Sequence, residues 1–354
     1  MSTGRLPALL AAAVASIAVA GCGGDEPAEQ QGGEGDIKGT TMTFVSYGGA
    51  YQDAQKKAMT DPFQQKFGVE VQQDGPTDYA KLTTQIESGQ VTWDVVDADP
   101  FFAIQQCKKM VEPIDTSVVD TSKMPKELVS ECSVPSMTYS FVLFYDKKFA
   151  ADPPKGWADF FNTEKYPGKR ALQNLAQGGG YEAALLADGV PSDELYPIDY
   201  DRAFKRLDTI KEDLVYWDTG AQSQQMMESG EVVMLLAWSG RGYTAIKNGA
   251  SYEPQWNQNM AVYDVFMVPK GTTNKAAAMK FISYATGAEA QARLTETIPY
   301  APIHADADPK VDEQLKSFLP TQPDIKEKAV AIDQEWWAEN LDAATQKWTA
   351  WVGG

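Results

Sequence analysis

The sequence predicts an α/β fold in two domains, on three observations. Short β-rich runs alternate with segments of helical spacing from Thr41 onward. That alternation argues for a parallel sheet with helices on its faces. The patterned span reaches about Val352, which at roughly 150 residues per domain allows two domains, each able to hold a sizeable core. No internal repeat divides it.

The elements follow in order. Thr41–Tyr47 reads as a strand broken by Gly48-Gly49, and Ala50–Lys66 has helical spacing through Ala54, Ala58, Met59 and Phe63, with Pro62 placed to kink or break it. Gly68–Val71 is a short strand. Asp78 caps a helix that runs through Leu82 and Ile86 to Gly89. Trp93–Val96 is a third, buried strand. Phe141–Tyr145 is β-rich, Trp157–Phe161 opens a helix, and Pro167-Gly168 turns into a strand ending near Leu172. Helices follow at Tyr181–Ala187 and Tyr200–Lys211, then strands at Val232–Trp238 and Met260–Pro269. Lys275–Tyr284 and Ala288–Glu296 are helical. The tail from Ile332 to Val352 carries Trp336, Trp337, Trp348 and Trp351 at spacings suited to one or two packed helices.

Ahead of this span lies a different kind of sequence. Arg5 precedes an apolar run, Leu6 to Val19, and Val19-Ala20-Gly21 leads into Cys22. A positive start, an apolar run and a small-residue cleavage site make a secretory signal, too short for a permanent span. It resembles the bacterial lipoprotein signal. That resemblance implies cleavage after residue 21, with Cys22 lipidated as the membrane anchor; ordinary secretion is the alternative. Residues 22–40, rich in Gly, Glu and Gln, read as a flexible leash.

Charge and cysteines narrow the class. The net charge is −18, with a sequence pI of about 4.5. Nucleic acid is disfavoured as a partner, because neutralising phosphates needs clustered Lys and Arg. Beyond Cys22 only Cys107 and Cys132 remain. An exported chain with an even count favours a structural disulfide between them, two buried thiols being the alternative.

Several groups could carry chemistry. His304 is the sole histidine, and no Gly-x-Ser-x-Gly elbow accompanies it, so nucleophilic catalysis and a His-rich metal site have little support. Tyr47-Gly48-Gly49 lacks a Walker ending; it could present backbone N–H groups to an anionic ligand end, or be a tight turn that needs glycine. Asp97 and Asp99 lie just past a strand end, where α/β sheets place ligands, and would face the same way if extended. They could hold an ammonium, a divalent cation or nothing. Trp238 ends a buried strand and is followed by glycines flanking Arg241. Asp264 stands inside an apolar strand, and a carboxylate there needs a partner: a bound amine, or Arg241 itself.

In family order, these pieces resemble the spermidine/putrescine-binding branch of ABC-importer substrate-binding proteins. The pieces are Tyr47, Asp78–Leu82, Trp93–Val96, Trp157–Phe161 with Tyr166-Pro167-Gly168, Gly230-Glu231-Val232 leading to Trp238-Ser239-Gly240, Asp264 with Pro269, and Ile298-Pro299-Tyr300. The resemblance implies a periplasmic-binding-protein type II-like fold: two α/β lobes joined by hinge strands, with the ligand in the cleft. Lobe 1 is expected over 41–137 and 265–304, lobe 2 over 138–264 and 305–354. It also implies a monomer without cofactor or metal that catalyses nothing and hands its ligand to a membrane permease. By position Tyr47 and Trp238 are aromatic walls, Asp264 is the amine-binding carboxylate, and Asp97 and Asp99 lie on a segment that reaches the ligand. Two departures matter. The family's acidic pair is replaced by Ala176-Gln177-Gly178-Gly179-Gly180, with only Glu182 nearby, and Arg241 adds a positive charge. The expected ligand is a small amine of the polyamine type. The alternative is a zwitterionic ω-amino acid like γ-aminobutyrate, with ammonium on Asp264 and carboxylate on Arg241. A secreted glycoside hydrolase using carboxylate pairs is the rival from another class.

Overall fold

The structure is a computed structural model that describes residues 37–354. The expected leader, Cys22 and the leash as far as residue 36 lie outside the described residues. Among the described residues nine strands form one sheet. They are β1 (Thr41–Val45), β2 (Glu70–Asp74), β3 (Val95–Ala98), β4 (Ser133–Asp146), β5 (Arg170–Gln173), β6 (Leu214–Trp217), β7 (Met234–Trp238), β8 (Tyr252–Met267) and β9 (Val330–Ala331). The order is β2-β1-β3-β8-β4-β7-β5-β6, with β9 alongside β8.

The sheet is mixed, not wholly parallel as the strand–helix alternation suggests. β1, β2 and β3 are parallel to one another, and so are β5, β6 and β7. Between these flanks run the two long strands β4 and β8, antiparallel to each other. The start of β4 pairs with the end of β8 beside β3, and the end of β4 pairs with β7. Each long strand therefore passes from one flank into the other. Both sets of parallel strands consequently aim their carboxyl ends at the middle of β4 and β8. In α/β sheets that is where ligands are taken.

Local chemistry explains the elements that carry the site. Asp78 accepts from Lys81 N–H at 3.0 Å to start the helix Tyr79–Ser88, and Gly89 closes it in the left-handed region. The helix expected over Ala50–Lys66 forms in three pieces: Gly49–Gln55, a π-helical turn at Lys56–Thr60, and Asp61–Phe67. Pro62 cannot donate to the carbonyl of Ala58, and Arg293 Nε takes that place at 3.0 Å. The Trp-rich tail is a single helix, Gln334–Gly353. Arg241, expected in a glycine-rich break, lies instead on a helix, Ser239–Lys247, that starts directly after β7. Its glycines answer to packing: a β-carbon on Gly242 would lie 2.0 Å from Phe144, and one on Gly240 would lie 2.5 Å from Tyr300. Cys107 and Cys132 are joined by a disulfide.

Candidate ligand-binding site

The strand ends deliver the site residues. Tyr47 follows β1, Asp99 follows β3, Gln173 ends β5, Asp218 follows β6 and Trp238 ends β7. These five share one cavity of about 110 Å³ with Tyr139 and Phe141 from the middle of β4. A second, wider cavity of about 420 Å³ has Gly48, Gly49, Gln52 and Asp74 in its wall, and shares Tyr47, Pro76 and Thr219 with the first.

Aromatic rings form the core of the wall. Trp238 meets Tyr47 edge-on with centroids 5.7 Å apart and Tyr139 at 6.3 Å. Such a cluster desolvates an alkyl chain while presenting ring faces to a cation. Burial first, then Asp99, holds the Tyr47 hydroxyl well above its usual range, so it stays neutral.

The three carboxylates are positioned differently. Asp97, on β3, is buried and accepts from Tyr51 Oη at 2.6 Å, Gln55 Nε2 at 2.6 Å, Ser136 Oγ at 2.8 Å and Ser46 Oγ at 3.3 Å. Those four donors occupy it, and it stands behind the cavity wall. Asp99 follows the last residue of β3 with its backbone still extended, Pro100 begins a helix, and Asp99 lines the cavity where Asp97 does not. It accepts from Tyr79 Oη at 2.6 Å, and its own N–H donates back to that oxygen at 2.8 Å. The Tyr79 and Tyr47 hydroxyls are 3.4 Å apart. Asp264 is 2 % exposed, and its Oδ1 has no hydrogen-bond partner among the described residues. Burial pushes its carboxyl well above the usual range, the charges of Asp97 and Asp99 push it further, and the Tyr139 hydroxyl opposes them.

Arg241 is fully buried, and it is not the partner of Asp264. Its Nη2 donates to the Gly48 carbonyl at 2.7 Å, while Nε and Nη1 have no partner among the described residues. Its guanidinium carbon lies 5.9 Å from the Trp238 ring centroid. Gly49 and Gly220 give it room, since β-carbons there would lie 2.9 Å from Nη1 and 2.6 Å from Nε. Gly48 and Gly49 both have positive φ, so the turn also needs glycine for its backbone. The Gly48 N–H, which could have met an anionic ligand end, donates to Gln52 Oε1 at 3.0 Å.

Of the residues predicted from sequence, Tyr47, Asp99 and Trp238 line the cavity; Arg241 lies beside Trp238 and Asp264 beside Tyr139 without lining either cavity themselves, and neither does Asp97. Tyr139, Phe141, Gln173 and Gln177 line it unforeseen. The last was noticed only as a replacement for acidic residues. Among the described residues no group of three or more His, Cys, Asp or Glu is placed to hold a metal. No described helix is long and apolar enough to cross a membrane.

Comparison with known proteins gives this arrangement its setting. The γ-aminobutyric acid-binding protein of Pseudomonas aeruginosa is 35% identical over 324 residues, covering 88% of this chain and 91% of that protein. The structure of the Atu4243 GABA receptor superposes with a TM-score of 0.81 at 44% identity, covering 88% of this chain and 98% of that one. The spermidine/putrescine-binding periplasmic protein of Salmonella typhimurium is more distant, 22% identical over 258 residues, covering 68% and 72%. The comparisons therefore favour the zwitterionic alternative over the polyamine expected from sequence. Residues 58–320 match the family described as bacterial extracellular solute-binding protein, and the chain belongs to that family.

Proposed function

We propose that this protein captures a small ω-amino acid of the γ-aminobutyrate type outside the cytoplasm and delivers it to the permease of an ABC importer. One observation carries the reading: Arg241 and Asp264 are both buried, both keep unpartnered polar atoms, and they do not pair with each other. Buried ionisable groups of opposite sign with no counter-charge beside them are costly, several kcal/mol each by general estimate. A ligand with a carboxylate at one end and an ammonium at the other would satisfy both. Its alkyl chain would lie on Tyr47, Tyr139 and Trp238, and Asp99 would add negative potential near the ammonium. A diammonium compound would meet Arg241 as a like charge. The names of the two nearer relatives agree with this ligand class.

In this reading 41–137 with 265–304 and 138–264 with 305–354 are lobes that close on the ligand about the middle of β4 and β8. The work is binding and release, without catalysis, cofactor or metal. A monomer tethered by lipid on Cys22 would keep loaded protein close to its permease. A thermal-shift panel of γ-aminobutyrate, putrescine, spermidine and α-amino acids tests the proposal. A ligand at 100 times its dissociation constant stabilises by about 2.7 kcal/mol. γ-Aminobutyrate should give the largest shift, and a larger one with putrescine would overturn the reading.

A further inference from the structure

The cavity extends past its charged groups. Gln173, at the end of β5, and Gln177, in the turn that follows, line its far side together with Leu175. Gln173 is only 6 % exposed, yet its carboxamide makes no hydrogen bond to a described residue, and neither does that of Gln177. A carboxamide offers two donors and an acceptor. Lining the cavity without a partner among the described residues, the two amides are left free to bond a ligand.

The local structure holds Gln173 in place. A β-carbon on Gly178 would lie 2.6 Å from Gln173 Cβ and 3.0 Å from its Oε1, so glycine is what lets the turn close over this side chain. Asp218 stands on the same side but is exposed and accepts from Asn174 Nδ2 at 3.0 Å. Leu175, 40 % exposed, leaves apolar surface at the rim for a ligand to cover. Beside the Asp218 carboxylate, this wall therefore offers two uncharged amides and an apolar edge.

We propose that Gln173 and Gln177 form a neutral polar subsite that takes a hydroxyl group carried on the ligand's chain, so that hydroxylated ω-amino acids are ligands of this site. The subsite rests on the zwitterion reading, because it adds a third contact to the two charged ones. It also bears on selectivity, since the two amides add no anion to the carboxylates of Asp99 and Asp218 that line the cavity.

Isothermal titration of the wild-type chain, Gln173→Leu and Gln177→Ala with γ-aminobutyrate and its 2-hydroxy and 3-hydroxy derivatives tests this. At least one hydroxy derivative should bind the wild type as tightly as γ-aminobutyrate or better. Gln173→Leu should weaken that compound by about tenfold and γ-aminobutyrate by less than about threefold, the scale of one hydrogen bond. Gln177→Ala, on a loop, should shift the ratio in the same direction without disturbing a strand. Gln173→Glu should gain affinity for putrescine. If γ-aminobutyrate binds but both hydroxy derivatives bind more than about tenfold more weakly, or the variants weaken every ligand equally, the subsite alone is overturned. If γ-aminobutyrate does not bind the wild type, the zwitterion reading falls and the subsite with it.

Discussion

Gly220 leaves the space that Arg241 fills: a β-carbon there would lie 2.6 Å from Arg241 Nε and 2.6 Å from the Trp238 ring. Alanine for glycine in an open helix stabilises by up to about 1 kcal/mol. At Gly220 the opposite sign is expected, because both neighbours are buried and the clash falls on the Trp238 ring and on Arg241 Nε, not on the tip of a flexible side chain. Gly220→Ala should lower stability by about 1–3 kcal/mol, the usual cost of overpacking, and weaken γ-aminobutyrate. Urea unfolding and calorimetry measure the two effects, and a stabilised variant with wild-type affinity would contradict the placement of Arg241.

Asp97 supports the architecture behind the cavity. Asp97→Ala would leave Ser46, Tyr51, Gln55 and Ser136 without their shared acceptor. At about 1–3 kcal/mol for each buried group left unsatisfied, a loss of roughly 3 kcal/mol or more is expected in chemical denaturation. A variant as stable as the wild type would show that this network contributes little.

Asp264 makes both stability and binding depend on pH. In the free protein burial, with Asp97 and Asp99 nearby, holds its carboxyl above the ordinary value of 3.8. Between that value and the raised one the folded chain binds more protons than the unfolded chain, so this contribution to stability falls as pH rises. An ammonium needs the carboxylate ionised, so affinity should rise with pH over the same interval, with proton release on binding. Titrations in two buffers of different ionisation enthalpy count the proton, and Asp264→Asn should remove both the release and its share of the stability slope.

The Cys107–Cys132 disulfide spans 25 residues. Chain-entropy arguments put such a cross-link at about 3 kcal/mol. Neither cysteine lines a cavity described above. Reduction should therefore lower the unfolding midpoint while leaving affinity for γ-aminobutyrate within about twofold. A large loss of affinity would place the disulfide in the binding mechanism.

The strands and helices were largely legible because burial imposes its period on the chain, as at β7, or because a cap marks the start, as at Asp78. The site was legible where one residue type was out of place, as with Asp264 in an apolar strand. Arg241 was misplaced because its flanking glycines depress helix propensity, and only the approach of Phe144 and Tyr300 explains them. Asp97 and Asp99 were legible as carboxylates near a strand end, but the four donors that occupy Asp97 were not, since they come from segments far apart in the chain. Tyr139 and Gln173 carried no signal, since nothing in a strand's own pattern says which residues the opposite flank leaves uncovered.

The central claim is that Asp264 receives the ligand's ammonium. Calorimetric titration of Asp264→Asn with γ-aminobutyrate tests it most directly, with a thermal melt to confirm folding. Removing one partner of a buried charge pair costs about 3–5 kcal/mol, so affinity should fall by about 100-fold or more in a variant that melts no lower than the wild type. A folded Asp264→Asn protein that binds γ-aminobutyrate with unchanged affinity would contradict the account.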